Sequence, residues 1–168
     1  MIETQRLLIR PLKYEQLLKY IQLDHSLETE LQLKPTERTI SPELKDALEQ
    51  TILPAVADSS KDYRYCTLWS IVLKEEQCMV GDLCFIGEPD TAGEIEIGYG
   101  TYDAFQKRGI MTEAVGAMIL WAKAQEQVRS IFAATEKKNA PSFAVLQKNN
   151  FVQVGETEEL LHWRLMLR

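Results

Sequence analysis

The 168-residue sequence predicts an α/β domain on a mixed, mainly antiparallel sheet flanked by helices, in the order βααβββαβαββ. Three observations carry that expectation. Near the N-terminus, Tyr14, Leu17, Leu18 and Ile21 recur at the i, i+3, i+4, i+7 spacing of an amphipathic helix. Over 64–101 the pattern changes to three runs rich in β-formers, joined by short turn-forming stretches that favour antiparallel neighbours. From residue 112 onward, helical and extended patterns alternate to the last residue.

Taken in order, Leu7, Leu8 and Ile9 read as a short strand, stopped at Pro11 because proline has no N–H to donate. The helix of Tyr14 to Ile21 follows. Ser41-Pro42 reads as an N-cap with proline at the first helical position. It opens a second helix, marked by Leu44, Ala47, Leu48 and Thr51 and expected to end near Pro54. The three strands are expected over 64–73, 78–86 and 92–101, an antiparallel meander. A long helix over 112–127 places Val115, Met118, Ile119 and Ala122 on one face. A strand over 130–135, a helix over 140–148 and strands over 151–154 and 160–167 complete the series. No linker, repeat or low-complexity stretch divides 1–168, so one domain is expected.

Composition excludes several classes. Lys and Arg number 19 against 25 Asp and Glu, a net charge of −6 that argues against a broad basic face for nucleic acid. No run of 18 apolar residues and no basic-then-apolar leader occurs, so no membrane span or signal peptide is expected and the location is read as cytoplasmic. Cys66, Cys78 and Cys84 form no C-x-x-C pair, and His25 and His162 form no H-E-x-x-H. No metal site is expected; the cysteines read as reduced thiols in a sheet core.

The most informative stretch runs from Glu94 to Ala114: a strand, a loop with Lys107, Arg108 and Gly109, and the start of a long helix. Free N–H groups and the helix dipole make such a start an anion site, and Gly109 permits close backbone approach. A helix entry with an incidental basic pair fits this stretch equally well. Two nucleotide motifs are excluded. Gly98-x-Gly100 lacks the third glycine of a dinucleotide fingerprint, and no G-x-x-x-x-G-K-[ST] exists.

Four motifs in order then carry a resemblance. Gln106-Lys107-Arg108-Gly109-Ile110-Met111 resembles the Q/R-x-x-G-x-G/A motif of the GNAT superfamily of acyl-CoA-dependent N-acyltransferases. Its flanks, Glu96-Ile97-Gly98-Tyr99 and Thr112-Glu113-Ala114, resemble the branch related to ribosomal-protein N-terminal acetyltransferases. Asn139-Ala140-Pro141-Ser142 with Val145-Leu146-Gln147-Lys148-Asn149-Asn150-Phe151 resembles that branch's N-x-x-S…V-L-x-K-x-G-F. Thr4-x-Arg6-Leu7-x-Ile9-Arg10 resembles its opening T-x-R-L-x-L-R. The likeness covers nearly the whole chain and is weakest over 24–63.

The resemblance implies a single GNAT-like domain, with acetyl-CoA as cosubstrate and a primary amine, a protein N-terminus or a small amine, as acceptor. It implies that Ile97, Gly98 and Tyr99 hold pantetheine like an added strand. Lys107, Arg108, Gly109, Ile110, Met111 and Thr112 would hold the pyrophosphate, and Asn139 and Ser142 would sit beside pantetheine and sulfur. A strand N–H would stabilise the oxyanion. A lysine-like amine of pKa about 10.4 costs about 4.6 kcal/mol to hold neutral at pH 7, so a proton acceptor is needed. Glu94 and Glu96 share one strand face about 7 Å apart, with Ile95 and Ile97 on the other. Glu96 is the favoured base, with Glu94 or a water chain as alternatives. Ser142 is the catalytic candidate for steadying the thiolate, against the alternative of a hydroxyl that only satisfies backbone.

This chain departs from the family at three places. Met111 replaces a small residue, Leu146 stands where many relatives carry a tyrosine acid, and Asn150 replaces a glycine. His162 and Trp163 are candidates to line the acceptor cleft, although a strand tryptophan is more often core. The acidic segment of Asp24, Glu28 and Glu30 is a candidate to attract a cation, or, more commonly, a solvated surface. The expectation is an N-acetyltransferase, monomeric or homodimeric; the rival is a non-catalytic acyl-CoA-binding sensor.

Overall fold

A computed structural model describes residues 1–168. The expected first strand is β2 (Leu7–Pro11), and a two-residue β1 (Ile2–Glu3), too short to show a pattern, pairs with it. Helix α1 (Tyr14–Gln22) follows the apolar stripe and buries Leu17 and Tyr20. A one-turn helix, α2 (Ser26–Glu30), occupies a segment whose polar sequence shows no period. Helix α3 (Pro42–Ala47) is capped as expected, its Leu44 N–H donating to Ser41 Oγ at 3.1 Å. It does not end near Pro54. A wide π turn (Leu48–Ile52) carries the chain into α4 (Leu53–Ala57), and the proline falls in the first turn of α4, where its missing N–H costs least.

The expected strand over 64–73 begins later, because Asp62 accepts the Arg64 N–H and closes a 3₁₀ turn at Tyr63–Tyr65. The remaining elements are β3 (Leu68–Leu73), β4 (Cys78–Phe85), β5 (Glu94–Thr101), α5 (Ile110–Lys123), β6 (Ser130–Glu136), α6 (Ala140–Lys148), β7 (Val152–Glu156) and β8 (Leu160–Met166). Helix α5 starts two residues before the expected 112 and stops short of 127. Asn150, at φ 68°, takes the left-handed conformation after α6, as expected of the residue standing for glycine there.

The eight strands form one sheet in the order β1-β2-β3-β4-β5-β6-β8-β7. Every neighbouring pair is antiparallel except β5 and β6. The parallel ladder ends at Glu96 opposite Phe132, although β5 runs on to Thr101 and β6 to Glu136. Beyond that point β5 follows β4 and β6 follows β8. A wedge therefore opens between the two strands.

One core lies between the sheet and α5: Ile95, Ile97, Ile131 and Ala133 face Ile110, Ala114, Val115 and Met118. The predicted helix face, Val115, Met118, Ile119 and Ala122, is buried throughout. A bulge where β4 meets Ile71 and Val72 shifts the parity, so Val80 and Leu83 both face this core and Asp82 and Cys84 turn to the other side. There α1, α2 and the π turn cover Leu68, Val72 and Met79 with Leu17, Leu27 and Leu48. Each fully buried leucine contributes about 1.5–3 kcal/mol. No helix is long and apolar enough to cross a membrane.

Candidate active site

A cleft of about 490 Å³ lies between the splayed end of β5, the loop before α5, and α6; its walls include Tyr99, Gly109, Asn139 and Ser142. Its floor is unpaired backbone. Ile86 N–H donates to the Glu96 carbonyl and Tyr102 N–H to the Val80 carbonyl, so even-numbered residues of β5 direct their backbone groups at β4. Ile97 N–H closes the parallel ladder on the Phe132 carbonyl. Past it the Ile97 carbonyl, the N–H and carbonyl of Tyr99 and the Thr101 N–H face the open wedge. An extended ligand can add there as a strand.

The loop continues this open surface. Lys107 at φ 64° and Gly109 at φ 73° are both left-handed, a conformation that gathers successive N–H groups into a concave nest. None of the N–H groups from Lys107 to Thr112 has a hydrogen-bond partner in the protein, and four of them belong to Gly109 and the first turn of α5. The Met111 side chain is buried in the core under the sheet, so it leaves its own amide clear. Arg108 turns aside, its guanidinium on Glu76 at 3.0 Å, while Lys107 is exposed and unpaired. These groups fit a diphosphate joined to an extended chain. A second cleft, about 420 Å³, is walled by three carboxylates, Asp62, Glu88 and Asp90, against one cation, Arg129, and suits such an anion less.

Across the wedge, the Tyr99 hydroxyl donates to the Ser142 carbonyl at 3.1 Å and accepts from Ser142 Oγ at 3.0 Å. Burial pushes the Tyr99 phenol up, partly opposed by that serine, so it is neutral and retains its proton. Sequence reasoning had no signal for this partnership, which joins residues 43 apart. Asn139 caps α6, accepting the Ser142 N–H at 3.3 Å, and also lines the cleft. Leu146 is fully buried and supplies no acid.

Glu94 and Glu96 do share one face, as strand parity requires, but they differ in partners. Arg164 Nη2 donates to Glu94 at 3.1 Å and Ser130 Oγ at 2.8 Å, and Arg164 holds the carboxyl below the usual range. The Glu96 carboxylate has no hydrogen-bonded partner. Burial raises its pKa, the charge of Glu94 raises it further, and His162 opposes. His162 stands edge-on to Phe132, 5.3 Å between centroids, on that same side of the sheet.

Two sequence candidates fall away. Trp163 is core, its Nε1 donating to Thr135 Oγ1 at 3.0 Å. Glu28 is buried, not an attractor of cations: it accepts from Arg38 at 3.0 Å and meets His25 Nδ1 at 2.6 Å, and Glu30 is tied to Lys19 and Gln16. The three cysteines are free thiols, and burial pushes Cys84 up to about 12, so it is no nucleophile.

The acetyltransferase (GNAT) domain family matches residues 6–152. A curated relative, the "Uncharacterized N-acetyltransferase YjdG" of Bacillus subtilis (strain 168), is 37% identical over 95 residues. That match spans 56% of this chain and 56% of the relative, little more than half the length of either. Ribosomal-protein-S5-alanine acetyltransferase from Vibrio fischeri has the same fold, with TM-score 0.67 at 20% identity over 98% of this chain and 94% of that one. Spermidine N-acetyltransferase from Vibrio cholerae, solved with CoA and spermine, gives TM-score 0.67 at 12% identity over 98% and 97%. With the family pattern running through most of its length and the fold to match, the chain belongs to the GNAT acetyltransferase domain family.

Proposed function

We propose that the protein transfers an acetyl group from acetyl-CoA to a primary amine, a protein N-terminus or a small amine, by direct attack. The observation that carries this reading is the free backbone edge at Tyr99 in the wedge together with the six unpartnered N–H groups of the 107–112 loop. Two structural relatives named for amine acceptors, a ribosomal-protein alanine and spermidine, support it. When bound, acetyl-CoA supplies the acetyl group as an activated thioester. The N–H groups from Lys107 to Thr112 hold its diphosphate, and the free edge from the Ile97 carbonyl through Tyr99 holds the pantetheine arm. Glu96 accepts the amine's proton, directly or through water. A β5 N–H at the wedge stabilises the oxyanion. Tyr99 and Ser142 stand at the cleft wall, and one of the two hydroxyls turns its proton from its present acceptor to the departing sulfur. Free thiols at Cys66, Cys78 and Cys84 suit a reducing compartment, and we place the protein in the cytoplasm.

The rival reading, a domain that binds acyl-CoA without turnover, draws support from the buried Leu146. The test is thiol release from acetyl-CoA across a panel of amines, peptides and polyamines, run beside thermal unfolding with CoA. Release with at least one acceptor supports the enzyme. A CoA-dependent rise in melting temperature without release supports the rival, and no rise at millimolar CoA overturns both.

A further inference from the structure

The N-terminal Thr4 and Arg6 reach across the fold to the start of α5. Thr4 Oγ1 donates to Glu113 Oε2 at 2.5 Å, and the Arg6 N–H donates to the same oxygen at 3.0 Å. Arg6 Nε donates to Glu113 Oε1 at 2.8 Å, and Arg6 Nη1 to the Arg108 carbonyl at 2.9 Å. Leu7 N–H, donating to Thr4 Oγ1 at 3.0 Å, fixes that hydroxyl. Arg6 is not among the residues walling the cleft. Its Nη2 would lie 3.5 Å from a Cβ on Gly109, so the guanidinium supports the loop from behind.

Two consequences follow for an anion in front. Glu113 is the fourth residue of α5, and a negative charge in a first turn competes for the same dipole an anionic ligand uses. Burial pushes its carboxyl up, but the hydrogen bonds from Thr4 and Arg6 outweigh burial and hold it below the usual range. Glu113 is thus a fixed charge, and Arg6 is its counterion. The second consequence concerns the helix ladder. The Arg108 carbonyl is the i−4 acceptor that Thr112 N–H would take if α5 were one residue longer. Instead it is bonded to Arg6, and the first bond of the helix is Glu113 N–H to the Gly109 carbonyl at 3.2 Å. Thr112 N–H stays free.

We propose that Arg6, with Thr4, is a positioning residue for diphosphate binding: it neutralises Glu113 and draws the Arg108 carbonyl out of the α5 ladder, keeping the loop's N–H groups open. This rests on the acetyl-CoA reading above.

The experiment compares CoA binding by calorimetry, and KM and kcat with two thioesters, acetyl-CoA and the phosphate-free S-acetyl-pantetheine. Arg6→Ala weakens CoA binding about tenfold and raises the acetyl-CoA KM in step, with kcat at saturation held within about twofold. The KM for S-acetyl-pantetheine stays within about twofold, because that substrate never meets the loop. Arg6→Lys, which keeps charge but loses the guanidinium fork, falls between. Adding Glu113→Gln to Arg6→Ala recovers about threefold of the CoA affinity. Should Arg6→Ala not fold, Glu113→Gln alone carries the test: affinity equal to or tighter than wild type supports the charge account, and a tenfold loss overturns it. Equal losses for both thioesters reduce Arg6 to scaffold. Wild type that binds CoA while Arg6→Ala binds it equally overturns this inference alone; wild type that binds none overturns the acetyl-CoA reading with it.

Discussion

Arg164 holds Glu94 through two hydrogen bonds and leaves Glu96, two residues along on the same strand face, with none. The guanidinium fork fixes one carboxylate ionised; that fixed charge, added to burial, makes the other harder to ionise. Two like groups thus acquire different roles from their neighbours alone. The lowered group is a structural counterion, and the raised group is suited to take a proton.

Glu96→Gln keeps size and most hydrogen bonding but removes the proton acceptor. The expected loss in kcat/KM is about 10²–10⁴-fold near neutral pH. It shrinks as pH rises toward the amine's own pKa, since the acceptor then arrives neutral. The check is kcat/KM against pH for wild type and variant with one working acceptor. Parallel profiles less than about threefold apart would transfer the role to a water chain.

Ser142 and Tyr99 hydrogen-bond each other, so their truncations test one unit. Ser142→Ala and Tyr99→Phe are each expected to lower kcat about three- to tenfold, as the loss of one neutral hydrogen bond implies. The double variant should lose less than the product of the two. CoA affinity should change less than kcat. If kcat is unaltered while chemistry limits the rate, the pair is a structural tie between β5 and α6.

Gly109→Glu places a side chain at φ 73°, its Cβ 3.5 Å from Arg6 Nη2, and so sets a carboxylate against the guanidinium that supports the loop. Such a residue costs about 1–3 kcal/mol of strain, so the melting temperature of the free protein drops modestly. The informative readout is the CoA-induced rise, which should vanish. A rise as large as in wild type would mean that CoA sits elsewhere.

The fold and the loop were readable because their signals are local. An N-cap serine, a glycine before an apolar helix and strand parity all act within a few residues, and Ser41, Gly109 and the Glu94–Glu96 face behave accordingly. What escaped are pairings set by the tertiary register. Arg164 meets Glu94 across β6, from 70 residues away, and Arg6 meets Glu113 from 107. A first-turn glutamate is ordinary helix chemistry until its partner is seen. The acidic segment near Glu28 misled for the same reason, since its counterion Arg38 comes from the loop before α3.

Asp82 is buried beneath α1, accepting from Tyr20 at 2.6 Å and Tyr102 at 3.1 Å, with Arg38 stacked 4.5 Å over the Tyr20 ring. Burial pushes its carboxyl up, and the two tyrosines and Arg38 oppose without prevailing. The folded chain therefore binds this proton more tightly than the unfolded one, whose aspartate titrates near pH 4, about its free value. The stability that this group contributes is fully present below the unfolded pKa and is lost as pH rises toward the folded one. Asp82→Asn keeps the shape and one acceptor but cannot ionise. Its unfolding free energy relative to wild type should therefore climb as pH rises above about 4, then level off. A constant offset from the lost hydrogen bond does not affect that slope. Urea titrations of both proteins from acid to mildly alkaline pH provide the check. Curves that stay parallel throughout would mean that Asp82 is ionised in the folded protein and that its tyrosine and arginine partners fully offset its burial.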